Sequence, residues 1–138
     1  MSSSNRTRPL SPHLTIWKWG PHMAVSILHR VTGSGLATVG AILLVWWLVA
    51  LATGPEAYAG FVDTFTYQSG ELNALGYLFG IGLTLTLFQH MGSGIRHLVM
   101  DTGANFELKS NKLSAQLTWG FSIVMTLIFW VALLAGKN

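Results

Sequence analysis

Three long stretches without a charged residue constrain this chain more than any other feature. Residues 31–55, 72–95 and 113–136, runs of 25, 24 and 24 residues, contain no Asp, Glu, Lys or Arg. A hydrocarbon core about 30 Å thick is crossed by about 20 helical residues, so each run can span a membrane with some tilt. Composition agrees: 51% of the chain is hydrophobic and only 9% is charged, against roughly 25% charged in soluble domains. At 138 residues there is room for one domain at most. The expected fold is an all-α integral membrane protein with three transmembrane helices, over about 22–52, 72–100 and 114–136. Residues 1–21 form an N-terminal segment, and 22–138 the membrane domain.

The basic residues give the expected orientation. Arg6, Arg8, Lys18 and Arg30 precede or open the first helix, and Arg96, Lys109 and Lys112 lie at the second connection. The first connection, 53–70, holds Glu56 and Asp63 and no Lys or Arg, and only Lys137 lies beyond the third helix. The positive-inside rule puts the N-terminus and the 99–112 loop in the cytoplasm, with the 53–70 loop and the C-terminus outside. The net charge of +3 is then a topology signal, and no nucleic-acid partner is expected. A cleaved signal peptide is not expected either, although Ala50-Leu51-Ala52 and Ala57-Tyr58-Ala59 resemble cleavage sites. The basic leader is long, and the apolar run exceeds the usual 7–15 residues. The chain has no cysteine, which removes disulfides and thiolate-ligated metal sites.

Residues 1–12 read as a tail. The following stretch, His13 to His22, carries Trp17 and Trp19 around Lys18, a pattern that suits either an interfacial anchor or docking to a soluble partner. Pro21 suits a first helical turn, and Thr53-Gly54-Pro55 stops the first helix. The 53–70 connection is mixed, with room for a short amphipathic turn. The third helix carries no ionisable residue within the membrane. Glycines scattered through the first two helices permit close approach of a neighbouring helix or a flat cofactor.

Two polar clusters carry the chemistry. Ser26, His29, Arg30 and Gly33 fall within one arc of about 100° on the first helix. His90, Ser93, Gly94, His97 and Asp101 share a face of the second. Antiparallel neighbours would bring both groups to one depth, forming a polar pocket at one membrane surface. Histidine there serves haem ligation, proton relay or hydrogen bonding to a ligand or another helix. His97 lies about 10.5 Å beyond His90 along the helix, so one straight helix cannot supply both axial ligands of one iron. A second ligand would come from His29 or from another chain. Arg30 and Arg96 suit haem propionates, and Ser26 and Arg30 equally suit a quinone carbonyl.

These residues also carry a family resemblance. Arg8-Pro9-Leu10-Ser11-Pro12-His13-Leu14, Ser26-Ile27-Leu28-His29-Arg30-Val31-Thr32-Gly33 and His90-Met91-Gly92-Ser93-Gly94-Ile95-Arg96-His97-Leu98-Val99-Met100-Asp101 resemble the cytochrome b subunits of succinate dehydrogenase in order and spacing. The likeness covers nearly the whole chain and is weakest in 53–70 and the third helix; Trp17 stands where a tyrosine is common. The resemblance implies a membrane anchor, half of a heterodimeric haem-binding helix bundle. A smaller anchor chain supplies the second axial histidine, and the pair holds an iron–sulfur subunit and a flavoprotein at the membrane. Electrons from succinate then reach ubiquinone. By position, His90 matches the axial ligand of one haem b and so its iron. His29, Arg30 and His97 match the surroundings of the haem propionates, Ser26 and Arg30 the quinone site, and Asp101 a supportive acidic residue. No carbon chemistry is expected of this chain alone.

The leader lacks a long Arg/Ser-rich presequence, so a bacterial inner membrane is expected rather than an imported mitochondrial precursor. Three alternatives stay open: a haem-free structural anchor whose histidines bridge helices, a fumarate reductase anchor, and a small transporter or proton-relay subunit. The last is disfavoured because no acidic residue lies at the midplane.

Overall fold

The computed structural model describes residues 18–136. The Arg8–Leu14 motif segment, Trp17 and Lys137 lie outside the described residues. Four helices follow in order: α1 (Pro21–Thr53), α2 (Pro55–Phe65), α3 (Ala74–Asp101) and α4 (Leu108–Ala135). The first, third and fourth are long and apolar enough to cross a membrane, and no strand is present among the described residues. Helix α3 packs on both α1 and α4, and α1 also touches α4. The chain thus forms a three-helix membrane bundle.

Pro21 occupies the first turn of α1, where its missing N–H costs nothing. The helix contains a π turn over Leu36–Gly40, closed by the Ala41 N–H reaching the Leu36 carbonyl five residues back. It ends at Gly54, whose φ of 128° only glycine adopts readily.

The 53–70 connection is more ordered than the sequence suggested. Helix α2 occupies eleven of its residues, with Pro55 in its first turn. Its aromatic residues return to the bundle: Phe61 meets Trp46 edge-on at 4.9 Å, and Phe65 meets Phe79 edge-on at 5.9 Å. Asn73 closes the segment. Its side-chain amide donates to the carbonyl of Thr64 (3.0 Å), and its Oδ1 caps α3 by accepting from the Gly76 N–H (2.9 Å).

The third span begins at Leu108, six residues before the expected Ser114. The polar Lys109-Ser110-Asn111-Lys112 stretch is helical, and its Ser110 and Asn111 side chains find partners at this end of the bundle. The Asn111 amide donates to the carbonyl of Asn105 (2.9 Å), and Asn105 and Arg96 both donate to Ser114 Oγ (2.7 and 3.1 Å).

Burial is inverted relative to a soluble domain. Gln89, Ser93, Arg96, Thr118, Ser122 and Thr126 are buried, while Leu44, Val45, Leu78, Leu117, Leu127 and Val131 are exposed. Lipid solvates the aliphatic exterior, so contact between helices is left to small and hydroxylated residues. Ser122 illustrates this: its hydroxyl donates to Gln89 Oε1 across the α3–α4 seam at 2.8 Å.

Candidate functional site

The two clusters expected to share a depth do meet. The imidazoles of His29 and His90 stack at 4.1 Å with 7° between their planes, and His97 lies 4.9 Å from His29. Their hydrogen bonds determine where the ring protons sit. His90 Nδ1 lies 3.1 Å from the carbonyl of His29, which can only accept, so this nitrogen carries the hydrogen. Thr32 agrees: its hydroxyl donates to the Leu28 carbonyl (2.7 Å), leaving its oxygen to accept from His90 Nδ1 (3.3 Å). His90 Nε2 is thereby a bare lone pair, and it has no hydrogen bond among the described residues.

His29 repeats the pattern. The Ser93 hydroxyl donates to the Gln89 carbonyl at 2.7 Å, so Ser93 Oγ accepts from His29 Nδ1 at 2.8 Å. In metal-binding histidines one ring nitrogen is fixed by just such a donated hydrogen bond, which orients the other toward the metal.

Two glycines shape this seam. A Cβ on Gly33 would lie 2.8 Å from His90 Cε1, so only glycine lets that ring settle against α1. A Cβ on Gly94, one turn along α3 from His90, would touch His29 Cε1 at an ordinary van der Waals distance of 3.6 Å.

At the same end of the bundle lies a cleft of about 420 Å³. Its polar lining is His22, Ser26, Arg30, Arg96, His97 and Asn111. Ser26 and Arg30 project from α1 a turn apart, and Arg30 is exposed. Arg96 is only 6% exposed. Its guanidinium donates from Nη2 to Asn111 Oδ1 (2.8 Å) and from Nε to Ser114 Oγ (3.1 Å). Sequence had offered Arg96 to a propionate; the fold commits much of its donor fork to α4, because a buried guanidinium needs partners. Asp101 ends α3, exposed and away from the cleft lining.

Sequence reasoning did not place His22 and Asn111 in this cleft. His22 stands four residues before Ser26, a helical spacing that could have flagged it; Asn111 lay in a stretch read as loop.

The donor set tests what could be held here. The three imidazoles do not converge into a group able to hold a bare ion among the described residues. A His90 Nε2 with no hydrogen bond fits a metal that brings its own planar ligand set and asks the protein only for a nitrogen donor, as haem does.

Known proteins match the sequence along most of its length. A family model described as succinate dehydrogenase/fumarate reductase transmembrane subunit matches residues 4–129. The chain is 34% identical over 129 residues to the succinate dehydrogenase cytochrome b556 subunit of Paracoccus denitrificans, covering 93% of this chain and 94% of that one. It is 34% identical over 128 residues to the cytochrome b560 subunit of Reclinomonas americana, covering 92% and 87%. With the mitochondrial cytochrome b560 subunit of Mus musculus it shares 40% identity over 114 residues, 82% of this chain and 63% of the relative. A match of this extent, on a bundle whose histidines meet at one end, places the chain in the family of succinate dehydrogenase/fumarate reductase transmembrane subunits.

Proposed function

We propose that this chain is the haem- and quinone-binding membrane anchor of a succinate dehydrogenase. The observation that carries this reading is the state of His90: Nδ1–H tied to the His29 carbonyl, and Nε2 without a hydrogen-bond partner among the described residues. His90 would hold the iron of one b-type haem, with a further ligand from a smaller anchor chain. His29, Arg30 and His97 would surround the propionates. The haem would supply a one-electron store close to the quinone.

Ser26 and Arg30 face the cleft that a quinone ring would enter. Reduction places negative charge on carbonyl oxygens, and a guanidinium beside a hydroxyl stabilises that charge better than water reorganising around it. This chain positions the acceptor and does no carbon chemistry. Its partners would be the smaller anchor chain, an iron–sulfur subunit, a flavoprotein and the bilayer; ubiquinone would be the acceptor, and Asp101 would have a supportive role at the end of α3. The bacterial relatives and the basic residues near 6–30 and 96–112 support a bacterial inner membrane with the N-terminus in the cytoplasm.

A haem-free anchor is the second reading. It is favoured by the hydrogen bonds through which His29 and His90 bridge α1 and α3. A reduced-minus-oxidised optical spectrum of the intact complex separates the two. A succinate-reducible b-type band, lost in His90→Ala, is the expected result. Absence of any band with succinate or dithionite would leave the structural anchor standing.

A further inference from the structure

His22 has no place in the function above, yet it lines the cleft with Ser26 and Arg30. Its ring folds back over Gly20, where an added Cβ would come within 2.6 Å of Nδ1. That nitrogen is buried and has no hydrogen-bond partner, whereas Nε2 is not among the buried unpartnered atoms. A buried nitrogen with nothing to donate to is best left as a bare lone pair, since burying an N–H without an acceptor carries a full desolvation cost. The ring's hydrogen then sits on Nε2, the nitrogen left accessible.

Spacing says what this donor can do. His22, Ser26 and Arg30 recur every fourth residue, so they lie within an arc of about 80° and about 6 Å apart along the axis. The two oxygens of a para-quinone sit across one six-membered ring, a separation close to one helical turn, roughly 5.4 Å. We propose that His22 donates its Nε2–H to one carbonyl of a para-dicarbonyl ring while Ser26 and Arg30 hold the opposite one, so that the cleft recognises its substrate by both oxygens. This rests on the quinone reading of the cleft. The charged and titratable groups facing His22 there are Arg30, Arg96 and His97. Of these, Arg30 and Arg96 are donors only and do not compete for its N–H.

The test uses the intact detergent-solubilised complex and two competing ring compounds, a short-chain para-quinone and its single-carbonyl analogue. In the unaltered complex the para-quinone should bind on the order of 10-fold more tightly, the worth of one good hydrogen bond. In His22→Phe that preference should vanish. Electron transfer from succinate to a soluble dye and the haem band should stay unchanged, which a folding defect would not allow. His22→Gln, which keeps an N–H, should restore part of the preference. If His22→Phe fails to assemble, His22→Asn, whose amide is too short to reach, reads the same ratio.

A preference that survives in these variants overturns the role of His22. Arg30→Ala separates the two levels. If it weakens quinone binding while His22→Phe leaves the preference intact, only the His22 proposal falls. If Arg30→Ala leaves quinone binding intact too, the cleft is not the quinone site and both readings fall.

Discussion

The two seams that α3 makes with its neighbours are both polar, and they use polarity in opposite ways. Against α4, the buried hydroxyls of Ser122, Thr118 and Thr126 donate to Gln89 Oε1 or to carbonyls of their own helix. The indole N–H of Trp130 reaches Thr84 Oγ1 at 2.9 Å. Left over are Gln89 Nε2 and, on α4, Trp119 Nε1. Against α1, His29 and His90 each spend one nitrogen on the neighbouring helix and keep the other. Polar groups that use up their valence with each other hold helices together. Those that keep a lone pair or a donor in reserve, next to room for a ligand, form a site.

The sharpest way to break this contrast is His90→Ala. The α1–α3 seam should lose its ligand, and the b-type absorbance should disappear from purified complex; a retained band would reduce that seam to the same helix-bridging role as α3–α4. Gly33→Val comes next. With a Cβ position only 2.8 Å from His90 Cε1, overpacking of about 1–3 kcal/mol is expected, read as weakened haem retention and a shifted band. An unchanged spectrum would show that His90 does not depend on close approach to α1.

Arg30→Ala should spare both assembly and haem but lower quinone reduction by about 10- to 100-fold, the worth of a hydrogen bond to a charged group. Quinone kinetics like those of the unaltered complex would dissociate the cleft from the site. The smallest effect belongs to the other seam. Ser122→Ala removes one interhelical hydrogen bond, costing about 0.6 kcal/mol in a membrane bundle. It should lower thermal stability slightly and leave spectrum and quinone KM untouched. A change in either would mean that the α3–α4 seam is part of the site after all.

The membrane spans were legible because absence of charge over two dozen residues has one physical meaning. The histidine clusters were legible because helical periodicity put them on single faces, and antiparallel packing did the rest. Helix α2 was not, since eleven residues of mixed polarity acquire their structure from Trp46 and Phe79, both distant in sequence. The early start of α4 was hidden for a related reason: Lys109 to Lys112 look like a loop until Arg96 and Asn105 provide partners for Asn111 and Ser114. Arg96 was read as a ligand-binding cation because a sequence shows a charge but not which neighbour it is already bonded to. His22 was seen only as part of an aromatic, basic approach to the membrane; its place in the cleft depends on how its ring folds over Gly20.

The π turn at Leu36–Gly40 divides α1 into two lengths with independent angular phase. A π turn accommodates one additional residue in a helix, about 100° of rotation, without unwinding what lies on either side. Ser26, His29 and Arg30 therefore keep their aim at α3 whatever aspect the stretch from Ala41 to Thr53 presents to lipid. Loss of one residue between 36 and 40 would be absorbed by a return to ordinary α-helical winding, with both halves of the helix keeping their phase.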